Sequence, residues 1–318
     1  MGSAEPQTAM GEFLKALPAK HLEPLWTRMS AMVPPAPNPV TMSCLWKYRE
    51  MLPYLATAGA IVPEEMAERR VLMLVNPCMS APHTTDTIYA GLQLVNPGDT
   101  APAHRHVATA CRFIIEGEGF TSVEGTRVRL TRGDVVVTPS WHWHDHGNES
   151  SKPVIWLDVL NLPLFTYARV HFAEGYAENR YPSTFKDHCE WRHPWEATQR
   201  ALDAMPGSHA TYHYKASNGD ALSATLGARA ERINSGTETE VIQDSNSYIY
   251  HCYEGRGYSV IESPESGVKD KFLRWESKDT FAVPAYSKFR HVNESSEAAY
   301  LVAFHDGPFL DRLELRRP

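Results

Sequence analysis

Apolar residues recur at helical spacing in the first part of the chain. Between residues 10 and 33 the repeating apolar positions are Phe13, Leu14, Leu17, Leu22, Leu25 and Trp26. This period predicts an amphipathic helix over 10–33. Prolines at several positions of 34–39 then exclude a helix interior. A second helix is predicted over 42–57, and Pro63 with two following glutamates predicts the first turn of a short third one.

From Arg70 onward the pattern changes to short apolar runs separated by Gly, Pro and Asn. The predicted strands are Val71–Val75, Thr87–Val95, Ala110–Ile115, Gly119–Val123, Arg127–Leu130, Asp134–Thr138 and Val154–Leu160. Many short strands at this spacing are typical of a sandwich or barrel. Residues 163–215 are mixed and predict a connector with a helix near 194–204.

A second β-rich block begins near residue 220 and repeats the first in outline. Three pairs of segments correspond, namely Ile115–Gly119 with Tyr253–Gly257, Asp134–Pro139 with Asp279–Pro284, and His146–Asn148 with His291–Asn293. The repetition predicts two related β domains that follow one another.

Composition narrows the function classes. The chain has 318 residues, enough for two modest domains, and a formal net charge of -7 from 38 acidic and 31 basic residues. It contains no basic block, which argues against nucleic acid or an anionic membrane as a partner.

The cysteines and the apolar runs bear on the compartment. The five cysteines are scattered without CxxC spacing, which fits reduced thiols better than a disulfide framework. Neither a signal segment nor an apolar run of membrane-spanning length is evident. We therefore expect a cytoplasmic protein.

Three histidines have the spacing of a metal site. His104 and His106 alternate within one predicted strand, so their side chains share a face. His144, from a neighbouring strand, can complete one side of a coordination sphere and leave the other side open. Three neutral nitrogen donors suit Fe(II), Mn(II) or Zn(II).

The same segments resemble the paired motifs of the cupin superfamily. Gly98, His104, His106 and Gly117 match the first motif, and Gly133, Pro139, His144 and Asn148 match the second. Ala110 stands where many cupins have a glutamate ligand, and Trp141 stands where they have glycine. A site of three histidines resembles the ring-cleaving cupins.

Longer strings narrow the resemblance to gentisate 1,2-dioxygenases and their salicylate- and hydroxynaphthoate-cleaving relatives. They are Tyr89–Gln93, Ala103–His106, Arg112–Phe113, Glu116–Gly119, Pro139–Asn148 and Ile155–Asp158. The resemblance implies a bicupin, usually a homotetramer, that binds Fe(II) at His104, His106 and His144. It also implies insertion of both atoms of O2 into an aromatic ring, between the carboxyl-bearing and hydroxyl-bearing carbons.

The predicted organisation follows from these patterns. It comprises an N-terminal helical arm (1–69), a metal-binding cupin domain (70–165), a connector (166–219) and a degenerate second cupin domain (220–318). In the second domain the metal positions fall on Ile242, Asp244 and Phe289, which cannot rebuild a histidine site.

Arg112 should face the same interior as the histidines, because it lies an even number of residues beyond His106. Its guanidinium fits a substrate carboxylate. The alternative is an internal salt bridge, for example with Glu116. By resemblance, either Arg69 or Arg70 is a second arginine near the substrate.

His146 shares the face of His144 and is a candidate catalytic group that bonds oxygen or the phenol. The alternative is a support for His144. Asp158 resembles the acidic partner of this histidine, while Gln93, Tyr89 and Gly91 resemble pocket-lining positions. Trp143 is a further candidate wall of the pocket.

The sequence is compatible with more than one substrate and more than one class of reaction. Val107 and Ala108 make a less polar wall than in many relatives, so substituted salicylates are expected beside gentisate. Other readings are a metal-dependent cupin isomerase or decarboxylase and a non-catalytic ligand-binding cupin.

Overall fold

The N-terminal part is helical, but in separate pieces. The computed structural model describes residues 4–63, 70–262 and 270–317, and the chain divides into two units, Met1–Asn38 and Pro39–Pro318. The single helix predicted over 10–33 is wrong. Instead α1 (Ala4–Ala16) is followed by 3-10 turns at Pro18–Lys20 and Leu25–Thr27 and by α2 (Met29–Met32). Pro18 and Pro24 lack the N–H that a continuous helix needs.

The second predicted helix begins later than expected. Cys44–Trp46 forms strand β1, which pairs antiparallel with Thr280–Ala282, and α3 begins at Tyr48 and ends at Ile61. Strand pairing with a distant segment therefore overrides the local helical period. Further helices among the described residues are α4 (Leu162–Tyr167), α5 (Trp195–Ala204) and α6 (Gly307–Arg312). Of these, α5 confirms the helix predicted near 194–204. The residues after Pro63, where the short third helix was predicted, lie outside the described ones.

Strands at 70–193 form two sheets. The first, in the order β13-β8-β5-β10-β3-β2, contains β2 (Arg70–Met73), β3 (Tyr89–Val95), β5 (Ala110–Glu116), β8 (Val135–Thr138), β10 (Val154–Leu160) and β13 (Arg192–His193). The second, in the order β11-β4-β9-β6-β7-β12, contains β4 (Thr100–His106), β6 (Gly119–Val123), β7 (Thr126–Leu130), β9 (His144–Gly147), β11 (Ala173–Gly175) and β12 (Thr184–Phe185). The strands predicted for this block are confirmed.

The later strands form two more sheets. The third, in the order β1-β20-β17-β22-β15-β14, adds β14 (His209–His213), β15 (Gly227–Ile233), β17 (Tyr248–Glu254), β20 (Thr280–Val283) and β22 (Ala299–His305) to β1. The fourth, in the order β16-β21-β18-β19, contains β16 (Ile242–Gln243), β18 (Arg256–Glu262), β19 (Lys271–Glu276) and β21 (Lys288–Asn293).

The main core explains why the central strands are buried on both faces. Alternate residues of β5 and β10, such as Phe113 and Leu157, enter a large apolar cluster together with Ile249 and Phe304 of the third sheet. The residues between them face the opposite way, where Ile114 and Trp156 form a small apolar cluster with Leu130. The first and third sheets thus pack on each other, and the interior between the first two sheets remains available for polar groups.

None of the helices in the described part of the chain combines the length and apolar character that a transmembrane helix requires.

Candidate metal centre

His104, His106 and His144 converge between the first two sheets. His104 pairs with His144 across β4 and β9, and the candidate ligand atoms of the three rings lie within 4.8 Å of one another. All three side chains are buried. The cluster predicted from spacing is therefore present, and one ion can be reached by every ring.

Backbone carbonyls orient the three rings. The Nδ1 atoms of His104, His106 and His144 lie 2.7, 2.7 and 2.8 Å from the carbonyl oxygens of Pro102, Ala108 and His142. A carbonyl oxygen only accepts, so each Nδ1 carries the hydrogen and donates. This tautomer leaves the Nε2 lone pair of each ring for a metal, the arrangement found in histidine-ligated sites.

The donor set fits a divalent metal. His144 Nε2 is buried and makes no hydrogen bond within the described residues. Burial is the main reason that the pKa of His144 lies well below its usual value, and His104, His146, His106 and Arg112 lower it further. A neutral imidazole is the form that binds a metal.

His146 lies beside the cluster. Its ring centroid is 5.5 Å from that of His144, and its Nδ1 forms a hydrogen bond with the Thr121 hydroxyl. Trp156 contacts its ring edge-on at 5.6 Å. The ring is therefore held in place from β6 and β10.

Arg112 forms an internal ion pair, the alternative considered for it, but with another partner. Its Nε lies 2.9 Å from Asp158 Oδ1, and its Nη1 donates to Thr138 Oγ1 at 2.5 Å. Glu116 pairs instead with Lys278. Asp158 is thus the counterion of Arg112, because register places the two opposite each other on β10 and β5. Its expected partnership with His146 stays a prediction.

The Arg112 guanidinium nevertheless faces the metal centre. Burial lowers its pKa, while the Asp158 carboxylate acts in the opposite direction. On β5 it shares the face of Ile114, which lies between the first two sheets, the same interior that holds the three histidines. Other N–H groups of the guanidinium remain for a further anion.

The predicted pocket positions on β3 share the inner face. Gly91 is opposite Asp158, and Gln93 is 2% exposed. A Cβ at Gly91 would lie 2.5 Å from Tyr89 Oη and 2.7 Å from Val71 Cγ1. A larger residue than glycine would therefore collide with Tyr89 and Val71 at this position of the wall.

Two other predicted groups lie apart from the cluster. Arg70 forms an ion pair with Asp99 and donates to Val62 O at 2.8 Å, and Arg69 lies outside the described residues. Trp143 packs under the guanidinium of Arg105 at 4.5 Å, on the face opposite His144. It is not brought together with the metal centre.

Sequence reasoning did not identify Thr121, Thr138 and His171. The two threonines position His146 and Arg112, and their place across the sheets gives no signal in one sequence. The His171 ring centroid is 6.1 Å from that of His106, although His171 lies in the predicted connector.

The later sheets reproduce the same framework without the ligands. Ile242 pairs with Phe289 as His104 pairs with His144. His291 Nδ1 lies 2.7 Å from Ser259 Oγ, which matches the bond between His146 and Thr121. No histidine cluster occurs there among the described residues.

Comparison with known proteins agrees with this geometry. The family model described as a cupin domain matches residues 91–160. Gentisate 1,2 dioxygenase 1 from Aquipseudomonas alcaligenes is 32% identical, over 93% of this chain and 92% of that protein. A 5-aminosalicylate 1,2-dioxygenase from Comamonas sp is 31% identical, over 98% and 90%.

A solved structure is similar over the whole chain. Salicylate 1,2-dioxygenase from Pseudoaminobacter salicylatoxidans, crystallised with gentisate, matches with a TM-score of 0.86 and 27% identity. The match covers 100% of this chain and 94% of that one. The predicted β-dominated bicupin fold with N-terminal helices is thereby confirmed.

Proposed function

Because this chain belongs to the family of gentisate 1,2-dioxygenases and related ring-cleaving cupins, we propose that it uses Fe(II) and O2 to open an ortho-hydroxybenzoate. The chain is an aromatic ring-cleaving dioxygenase by family. Iron, the substrate class and cleavage between the carboxyl-bearing and hydroxyl-bearing carbons are our proposal. The observation that carries it is the convergence of three buried imidazoles beside a buried arginine.

Iron is supported by the chemistry of the donors. His104, His106 and His144 would hold the ion through neutral nitrogens, so the site keeps its full positive charge and favours an anionic chelating substrate. When bound, Fe(II) supplies a redox-active centre with open positions for the aromatic acid and O2.

The surrounding residues would bind and orient the substrate. Arg112, fixed by Asp158 and Thr138, presents positive charge to the substrate carboxylate. His146, held by Thr121 beside His144, would donate to or accept from an oxygen of the bound reactants. Gln93, Tyr89 and Gly91 would form the wall on β3, and either Arg69 or Arg70 would be the second arginine.

Substituted salicylates are included in the proposed substrate class. Val107 and Ala108 follow the second ligand and bring no polar side chain to that wall. Relatives of similar identity are named for gentisate and for 5-aminosalicylate. A strict preference for gentisate, with no salicylate turnover, would contradict this part.

The test is oxygen uptake by the iron-loaded protein with gentisate, salicylate and 5-aminosalicylate. One O2 should be consumed per ring opened, with a product absorbing in the near ultraviolet. Benzoate and 3-hydroxybenzoate serve as controls, because they lack the ortho hydroxyl and cannot chelate through a carboxylate and a phenol oxygen together. Absence of uptake with every ortho-hydroxybenzoate would refute the proposed function.

We also propose a cytoplasmic homotetramer. All five cysteines are free thiols, which suits a reducing compartment. The unit Met1–Asn38 exposes large apolar side chains, including Trp26, Met32 and Val33, which favour burial against another subunit. Light scattering after size-exclusion chromatography measures the assembly, and a monomer would contradict it.

A further inference from the structure

We propose that His171 is a substrate-positioning residue that binds the polar substituent at carbon 5 of the aromatic acid. This inference rests on the proposed function and concerns a residue of the segment between the two pairs of sheets.

Strand β11 places His171 on the inner face of the second sheet. Ala173 and Gly175 of β11 lie opposite His106 and His104 of β4, and directly opposed residues of antiparallel strands share a face. The pairing continues past the strand, since Val107 N donates to Phe172 O at 3.2 Å. His171, two residues before Ala173, therefore faces inward.

The neighbouring side chain confirms the alternation. Phe172 points the other way and packs on Trp141, with ring centroids 4.7 Å apart. The His171 ring lies on the ligand side, 6.1 Å from the ring of His106 and tilted by 46°. It lies outside the set of three ligands, so its imidazole borders the centre without completing it.

β11 is the edge strand of the second sheet and lies next to the ligand strand β4. Residues of β11 are exposed although they lie opposite buried ligands, and His171 itself is half-buried. A hydroxybenzoate chelated through its carboxylate and phenol oxygens extends its opposite carbons away from the ion. Carbon 5 then reaches groups just beyond the ligands, on the open side.

Chemistry favours a polar group there. Gentisate and 5-aminosalicylate both carry a hydrogen-bonding group at carbon 5, whereas salicylate carries hydrogen. Val107 and the buried Ala108 supply no polar side chain, while an imidazole both donates and accepts. His171 thus provides at β11 the polar contact that is missing from the end of β4.

The test compares His171→Phe with His171→Asn and a matched control, His193→Phe. His193 is another half-buried histidine on an edge strand, β13 of the first sheet. Dissociation constants for gentisate and salicylate are measured without oxygen by calorimetry on the iron-loaded protein, together with kcat, KM and iron content.

His171→Phe should raise Kd and KM for gentisate about tenfold, as expected for one lost hydrogen bond. Salicylate binding, kcat and iron content should stay within about twofold, and His171→Asn should recover part of the gentisate affinity. His193→Phe should leave the ratio of the two affinities unchanged.

Equal losses for both ligands, an unchanged ratio or loss of iron in His171→Phe would overturn the inference. The same shift of the ratio in His193→Phe would do so as well. If the wild-type protein neither binds nor cleaves any ortho-hydroxybenzoate, the proposed function itself is refuted. If the wild type does both and only the His171 variants behave otherwise than expected, the role of His171 alone is refuted.

Discussion

Each ligand histidine owes its orientation to a carbonyl two residues away. For His144 the acceptor is His142 O, at 2.8 Å, so local backbone geometry fixes the tautomer without a second side chain. This explains why spacing alone located the centre, since ligand and support lie in the same few residues.

Replacing His144 should remove iron and turnover together. His144→Ala deletes one of three nitrogen donors, so iron content should fall to the background level and O2 uptake should vanish. Exposed His188, changed to alanine, is the control. Metal analysis after anaerobic loading decides, and an iron-loaded, active His144→Ala would refute the ligand assignment.

Variants of the buried pair between Arg112 and Asp158 can distinguish its effect on the stability of the fold from its effect on substrate binding. Asp158→Asn leaves the Arg112 guanidinium buried without a counterion, so the free energy of unfolding should fall by about 3 to 5 kcal/mol. The double variant with Arg112→Met and Asp158→Leu should regain most of this free energy yet bind the aromatic acid about tenfold more weakly.

Urea unfolding and anaerobic calorimetry measure the two effects. The matched control is Glu149→Gln, in which the exposed Glu149 carboxylate loses its ion pairs with Arg127 and Arg180, and which should cost less than about 1 kcal/mol. Equal unfolding free energies for Asp158→Asn and Glu149→Gln would show that the pair does not stabilise the fold.

At the level of elements, the sequence predicted strands better than helix boundaries. The run Gly119–Val123 is a strand because its apolar and β-branched residues fit a half-buried surface wherever it pairs. Cys44–Trp46 was assigned to a helix because its pairing partner, Thr280–Ala282, lies more than two hundred residues later. One sequence without its fold carries no signal for that contact.

The same limit applied to the site. The metal ligands lie in two short motifs that can be recognised in the sequence itself, whereas the pairing of Asp158 with Arg112 depends on which strand adjoins β10. Trp141 was noted only for replacing a glycine. The structure shows its φ at 62°, a left-handed conformation that glycine adopts without strain.

Two equivalent aspartates accept hydrogen bonds from the first residues of helices α5 and α3. Asp134 Oδ1 accepts from Trp195 N at 3.2 Å, and Asp279 Oδ1 accepts from Tyr48 N at 2.9 Å. Each carboxylate therefore serves the first N–H of a helix, α5 or α3, where negative charge is favourable. The repeated Asp-to-Pro segment thus also attaches helices to the sheets.

Removing either carboxylate should destabilise the protein to a similar extent. Asp134→Ala and Asp279→Ala should each lower the free energy of unfolding by about 1 to 3 kcal/mol, because the buried donors lose a charged acceptor. Exposed Asp187→Ala should be neutral. Urea unfolding measures all three, and a neutral Asp279→Ala would contradict this role.

At the scale of the whole molecule, the two pairs of sheets use their interiors differently. The first places histidines where a metal can bind, while the second fills the equivalent space with a buried network. There Arg229 Nε lies 2.9 Å from Glu231 Oε1, and Tyr250 donates to the same oxygen at 2.9 Å. Charge is thus neutralised internally, which fits a packing role for the second domain.

The second pair of sheets also makes stability depend on pH. Burial is the main reason that the pKa of His291 falls from 6.5 to about 4, and nearby Arg229 and His209 lower it while Glu231 raises it. The unfolded chain therefore binds this proton at higher pH than the folded protein. The stability from neutral His291 is complete above pH about 6.5 and is lost as the pH falls toward 4.

Replacing this histidine should flatten the acid dependence. Between pH 7 and pH 5 the free energy of unfolding of His291→Gln should fall by about 2 kcal/mol less than that of the wild type. His251 and His305, whose pKa values burial lowers to about 3, keep part of the slope in both proteins. Urea unfolding at equal iron loading measures it, with exposed His188→Gln as the control. If the free energy of unfolding changed equally with pH in His291→Gln and in the wild type, buried His291 would not contribute to the acid dependence.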